Sequence, residues 1–246
     1  FETIMLRHNY RQADDMQFFD ILKEIRLGRN LDFAFKALQS RVGKVPEKRT
    51  IKLVSHKSQA SEINDYNLKL LNTDARTFVA KAEGREEYVK MYLPFFAENT
   101  NLVFKRGVRV MLNWNLKVDE GLCNGAIGNI IDFTKEGFPI VLFDGIPHPV
   151  VIEPSSFVIE DQFTSEVLFN FIQIPLQLAY SVTIHKSQGL TFDSVSTDIS
   201  KCFTEGQAYV SLSRARTLNG LFLTPFTKSV FKTNPKIVEF YESLEF

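Results

Sequence analysis

The hydrophobic period of this chain changes twice along its length. Up to about residue 100, stretches with apolar residues three or four apart alternate with short β-type runs. From about 104 to 172 the short β-type runs VRVMLNWNL, AIGNIIDF, FPIVLFDG and PVVIE follow one another, separated by DEG, TKEG and DGIP. From about 173 the first rhythm returns. Alternating strand and helix builds a parallel sheet covered by helices, whereas closely spaced strands with turn residues between them build a small antiparallel barrel. The expected fold is therefore α/β, a parallel-sheet domain with a small β module inserted into it. Its segments are 1–103 for the first part of the α/β domain, 104–172 for the insertion and 173–246 for the remainder.

Local signals fill in this frame. FETIML reads as a strand and RHNYRQ as a polar loop after it. ADDMQFFDILKEIRLG places Met16, Phe19, Leu22 and Ile25 three apart and stops at Gly28, the pattern of an amphipathic helix. LDFAFKALQSR reads as a second helix and RTIKLVS as a strand. SQASEINDYNLKLLN reads as a helix opened by serines, with Glu62 in its first turns. PLQLAYSVT and DSVSTDIS read as single strands. FTEGQAYVSLSRARTLNG reads as a helix with a Thr204–Gln207 capping box and a stop at Asn219-Gly220, and LFLT as the last strand.

Composition removes several classes of function. With 246 residues, 44% of them hydrophobic, the chain can bury a proper core. No apolar run approaches the roughly 20 residues of a membrane span, so no membrane contact is expected. Cys123 and Cys202 stand far apart, which excludes a disulfide scaffold or a four-cysteine zinc site and points to a reducing compartment. No metal-ligand spacing occurs. Lys+Arg and Asp+Glu both number 29, so bulk charge gives no support to nucleic-acid binding. A local patch would have to supply it. FETIMLRHNYRQ resembles no signal or transit peptide, and the opening strand without an initiating methionine suggests a chain cut from something longer.

Two polar stretches concentrate the chemistry. TIHKSQG, 183–189, follows a hydrophobic strand, and Thr183 can cap a short helical turn that Gly189 ends. Free N–H groups at such a start attract phosphate, and Thr183, His185, Lys186 and Ser187 add side-chain donors. The plainer alternative is a polar loop whose threonine and glycine cap a turn. In GQAYVSLSRAR, 206–216, Tyr209, Leu212 and Ala215 share an apolar face while Arg214 and Arg216 lie in the last turn. Those arginines either sit in solvent or reach a phosphoryl group from another domain. Arg11-Gln12 in the first polar loop invites the same two readings.

The order and wording of these stretches resemble the Pif-type (petite integration frequency) DNA helicases, superfamily-one 5′-to-3′ motors related to the RecD type. TIHKSQGLTFDSV and GQAYVSLSRARTLNGL are similar to that family's last two motifs, and NYRQ to its fourth. GVRVMLNWNLKVDEGLCNGAIGNIIDF resembles the entry to its inserted barrel, and FIQIPLQLAYSVTIHKSQG its return to the motor domain. The resemblance covers nearly the whole chain in the right order.

That resemblance implies a second RecA-like motor domain with an inserted Src-homology-three-like barrel. Arg214 would be an arginine finger, and Arg11 would approach the γ-phosphate of ATP. Gln188, Gly189 and Glu205 would line the same nucleotide rim. Thr183, His185, Lys186 and Ser187 would face single-stranded DNA, as would His56 and Lys57 after the RTIKLVS strand. The chain contains no G-x-x-x-x-G-K-[ST] motif. ATP and Mg2+ would accordingly be held mainly by an N-terminal RecA-like domain of the same protein, and this chain alone would lack activity. The implied partners are single-stranded DNA and DNA forks, the implied state a monomeric motor. The implied settings are DNA repair, recombination and replication in the nucleus, a mitochondrion or a viral replication site. The competing expectation is a motorless nucleic-acid-binding or protein-interaction module derived from a helicase.

Overall fold

The structure is a computed structural model and describes residues 8–47 and 49–244. The strand expected at FETIML lies outside these residues. In chain order come α1 (Met16–Leu27), α2 (Leu31–Gln39), β1 (Ile51–Val54) and α3 (Lys57–Lys69). There follow β2 (Ala75–Val79), β3 (Lys81–Gly84), α4 (Glu86–Tyr92), β4 (Asn101–Lys105) and β5 (Arg109–Leu112). Next are β6 (Ile127–Phe133), β7 (Pro139–Phe143), β8 (Val150–Val151), β9 (Ser155–Glu160), β10 (Val167–Gln173) and β11 (Leu176–Leu178). The chain closes with β12 (Ser181–Thr183), β13 (Val195–Thr197), α5 (Gln207–Leu212), β14 (Leu221–Leu223) and α6 (Pro235–Leu244).

These elements form two compact units, one ending at Ile63 and resuming at Tyr180, the other Asn64–Ala179. The first holds a parallel four-stranded sheet in the order β12-β1-β13-β14. Nearly every strand residue is buried, as a sheet covered on both faces requires. Because all four strands run the same way, the segments after them gather at one edge. Those segments start at Ser55, Ile184, Asp198 and Thr224. The carboxyl edge of such a sheet is where α/β domains place their ligand-binding residues.

Helix α1 forms because Asp15 caps it, its carboxylate accepting from Phe18 N at 3.0 Å, and because Gly28 takes the left-handed C-cap at φ 66°. Its buried face is Phe18, Ile21, Leu22 and Ile25. Met16 is exposed and Phe19 half-buried, so the apolar stripe sits about one position away from the expected three-residue spacing.

The second unit carries a five-stranded antiparallel sheet, β11-β5-β6-β7-β8, in which β5 to β8 come from the four expected β-type runs and β11 from PLQLAYSVT. A three-stranded sheet β3-β10-β9 and a β2-β4 pair complete it. Phe96 packs its ring on Phe157, Phe169 and Phe171 at 4.9, 5.8 and 4.5 Å between centroids. Aromatic rings at such separations add attraction beyond the area they bury.

Three expectations are corrected. The compact insertion begins at Asn64 rather than 104, because β2 pairs with β4 and β3 with β10, which stitches residues 75–84 to the β module. PLQLAYSVT is two strands: Leu176–Leu178 pairs antiparallel with β5, and Ser181–Thr183 pairs parallel with β1. The long helix expected over 203–220 is only Gln207–Leu212, beginning after a left-handed Gly206. Half of the capping box survives, since Gln207 Oε1 accepts from Thr204 N at 3.3 Å, but Thr204 does not cap the helix.

Gly220, expected to stop that helix, serves another purpose. A Cβ there would lie 2.1 Å from the Asp193 carbonyl oxygen, and Gly220 O accepts from Val195 N at 2.8 Å beside the β13–β14 pairing. Gly220→Ala should therefore destabilise the parallel-sheet unit by about 1–3 kcal/mol, the usual range for overpacking. Denaturant unfolding followed by circular dichroism checks this, and an unchanged midpoint would contradict it.

Candidate functional site

Beyond Leu212 the chain leaves α5 and turns back over the sheet. A parallel bridge holds it there: Phe192 N donates to Arg214 O at 2.9 Å and Arg216 N to Phe192 O at 3.0 Å. This places the Arg214 side chain in the interior, 7% exposed. Its Nε donates to Val210 O at 2.9 Å, Nη1 to Ser187 O and Leu190 O at 3.4 and 3.3 Å, and Nη2 to Ser213 Oγ at 2.8 Å. All are neutral acceptors, and among the described residues Arg214 forms no ion pair.

Arg11 comes to the same place from the loop before α1. Its Nε donates to Thr191 Oγ1 at 2.8 Å and its Nη1 to Ser213 O at 3.2 Å. Gln12, 4% exposed, anchors that loop by donating to Ala215 O at 2.8 Å. Burial first, and the charge of Arg11 second, pull the Arg214 guanidinium down to about 10. Burial likewise lowers Arg11, and the Tyr209 phenol opposes the shift at both arginines. Two partly desolvated cations held side by side by neutral acceptors favour an anion with several oxygens, a phosphoryl group above all. His8, Asn9, Arg11, Thr191 and Arg216 line an open cavity of about 540 Å³ at this position.

The 183–189 turn divides its polar side chains between interior and surface. Thr183 Oγ1 accepts from Lys186 N at 3.2 Å, and the fully buried Ser187 donates to Ile184 O at 2.7 Å. Neither hydroxyl faces outward, so the expectation that they meet a nucleic-acid backbone is replaced by a structural role. The N–H groups of Lys186 and Ser187 are also spent inside the turn, and residues 184–189 form turns rather than a helix. His185, Lys186 and Gln188 are exposed, and Gly189 ends the turn at φ 82°.

His56 and Lys57, at the end of β1, are exposed on the same sheet edge as His185 and Lys186. The His56 ring stacks on Phe203, with centroids 5.7 Å apart and planes 8° from parallel. Glu205 does not join the arginines. Its carboxylate accepts from Asn234 Nδ2 at 2.8 Å and lines a separate cavity that Gln188 shares. Sequence reasoning paired Gln12 with Arg11 but missed its anchoring role, and it missed Thr191 and Ser213, because these contacts run across the fold. It also missed Phe203, half exposed at 54%, and assigned Tyr209 only to an apolar face. The pattern K-C-F next to a glycine-initiated helix was the available signal for Phe203.

A parallel sheet with two arginines at its rim and an inserted β module is a RecA-like motor domain, and comparison with known proteins agrees. The signature "DNA helicase Pif1, 2B domain" matches residues 92–133. The ATP-dependent DNA helicase PIF1 of Xenopus laevis is 34% identical over 96% of this chain, which spans 37% of that relative. The ATP-dependent DNA helicase Pif1 of Bdellovibrio bacteriovorus is 30% identical over 100% of this chain and 55% of its own length. The crystal structure of Pif1 helicase from Candida albicans superposes with a TM-score of 0.79 at 30% identity, covering 100% of this chain and 61% of that one. Bacteroides Pif1 bound to ssDNA gives a TM-score of 0.65 at 25% identity, covering 95% of this chain and 55% of that one. On these findings the chain is similar to Pif1 helicases over nearly its whole length, and it spans 37% to 61% of the length of these relatives.

Thr183→Val tests the interior role of that hydroxyl. It should cost about 0.5–2 kcal/mol, as loss of a capping oxygen does, while leaving affinity for single-stranded DNA in the complete protein unchanged. Thermal unfolding and anisotropy on the same variant check the pair of outcomes.

Proposed function

We propose that this chain is the motor half of an ATP-dependent 5′-to-3′ DNA helicase that supplies arginines to nucleotide bound chiefly by a partner domain of the same protein. The observation that supports this best is Arg214: a buried guanidinium beside a second arginine, held by carbonyls and without a carboxylate among the described residues. Such a group is oriented before its anion arrives, so charge developing on a transferring phosphoryl group meets fixed donors in a poorly solvated place. In this reading Arg214 stabilises the leaving phosphate's charge and Arg11 orients the terminal phosphate. ATP and Mg2+ complete the site when the P-loop domain closes onto it.

The single strand would follow the carboxyl edge of the parallel sheet. Lys186 and Lys57 would meet phosphates there, His185 would add a donor, and the Phe203–His56 stack would offer a ring face to a base. Backbone and stacking contacts tolerate any sequence, as a stepping motor requires. Helicase activity at forks by a monomer is the extension of this reading to the whole protein.

In the complete protein Arg214→Ala should abolish ATP turnover, with a loss of about 10³-fold or more, and leave affinity for single-stranded DNA within twofold. Equal loss of both would sink the assignment. Lys186→Ala should weaken DNA binding for every sequence and reduce the slope of log affinity against log salt by about one. A salt titration of dT15 binding by anisotropy reads that slope directly, and an unchanged slope would remove Lys186 from the interface.

A further inference from the structure

The cavity of about 540 Å³ beside Arg11 has a second arginine on its wall, and it is Arg216 rather than Arg214. These two arginines of one segment are held in opposite ways. Arg214 is 7% exposed, and all three nitrogens of its guanidinium donate to protein oxygens. The Arg216 side chain is 52% exposed, although its backbone is fixed by the N–H that donates to Phe192 O at 3.0 Å. Its Nε lies 3.1 Å from Asp193 Oδ1, in an ion pair whose acid is 82% exposed. So open a pair is weak, and another anion can compete with it. Both terminal nitrogens of Arg216 donate no hydrogen bond among the described residues.

The rest of the wall has the same character. Arg11 uses Nε on Thr191 Oγ1 and Nη1 on Ser213 O, which leaves Nη2 without a partner among the described residues. Thr191 accepts through its oxygen, and its O–H has no acceptor among them either. None of the six lining residues is acidic. Unspent donors from two cations and a hydroxyl around one cavity suit an anion with several oxygens. An exposed guanidinium waits there already solvated, so it is suited to charge that a ligand carries from the start. Arg214 must instead leave carbonyl acceptors to reach a phosphate, which favours charge that appears only during transfer.

We propose that Arg216 is a nucleotide-binding residue that grips a phosphate common to ATP and ADP, leaving the terminal phosphate to Arg11 and Arg214. This rests on the reading of Arg11 as a nucleotide contact, and it divides one short segment between two tasks. Residue 216 captures the nucleotide, and residue 214 acts on the charge that develops.

The test uses the complete protein at fixed ionic strength, with methylanthraniloyl-ADP for binding and ATP turnover on saturating dT15. Arg216→Ala should weaken ADP binding and raise the KM for ATP by about 10-fold, the scale of one charge-assisted hydrogen bond. The kcat should stay within twofold, because a contact made equally in ground and transition states leaves it untouched. Asp193→Asn breaks the same ion pair but keeps the guanidinium, and it should bind ADP no more weakly than the parent. An Arg216→Ala protein with parental ADP affinity overturns the proposal, whether or not it has lost dT15 binding. A kcat loss as large as the loss of affinity also overturns it, since Arg216 would then act on the transferring phosphate. So does an Asp193→Asn protein that loses as much ADP affinity as Arg216→Ala, because the pair would then be structural. An Arg214→Ala protein that turns over ATP normally would instead sink the arginine-finger reading and leave Arg216 in place.

Discussion

A buried guanidinium held by carbonyls is the interaction on which the rest of the parallel-sheet unit turns. Arg214 draws together the end of α5, the 183–189 turn and Leu190, because its four contacts reach Val210, Ser213, Ser187 and Leu190. A cation in the interior without a counterion is costly, and burial accordingly lowers its proton affinity. The protein retains the charge with well-placed neutral acceptors, and Arg11 adds a second positive charge nearby. In the proposed reading an arriving phosphoryl group would convert that unfavourable electrostatics into binding energy.

In the proposed reading the same contacts would link bound nucleotide to bound nucleic acid. The Ser187 carbonyl that accepts from Arg214 belongs to the turn that exposes His185 and Lys186. Displacing the arginine toward a phosphate must therefore rearrange that turn or break the bond. Tyr209 lies within electrostatic reach of both arginines and also lines the cavity that Gln207 and Arg26 border. Coupling of this kind needs only two packed arrangements of one short segment, and no long pathway. The segment is anchored at Thr183, which accepts from Lys186 N and Ser187 N, and this limits how it can move.

Much of this was legible in the sequence. The alternation of strand and helix, the β-rich interruption and the helix stop at Gly28 are local signals, and local signals survive folding. The arginines were legible as candidates because a motif's wording marks them. What failed shares one cause. An apolar run does not say which sheet it joins, so PLQLAYSVT looked continuous although Leu178 and Ser181 pair with different sheets. Residues 75–84 looked like part of the motor domain because their partners, Lys105 and Phe169 among them, lie far along the chain. Thr183 and Ser187 looked like ligand donors because burial of a hydroxyl cannot be read from its neighbours. Conversely, Thr191 and Ser213 gave no signal, since their roles arise only when residues 9–12 meet residues 191 and 213–215.

The most direct test of the account follows the guanidinium itself. In the complete protein, nitrogen-15 NMR of the Arg214 Nε–H and Nη–H groups, assigned through Arg214→Lys, is recorded as ATP with magnesium is added. The account expects those signals to shift at saturation while the protein as a whole stays folded, because the phosphoryl group replaces carbonyl acceptors at Ser187 and Leu190. Signals that stay unchanged while ATP is demonstrably bound would mean that Arg214 is a structural clamp and that the charge at the nucleotide comes from elsewhere.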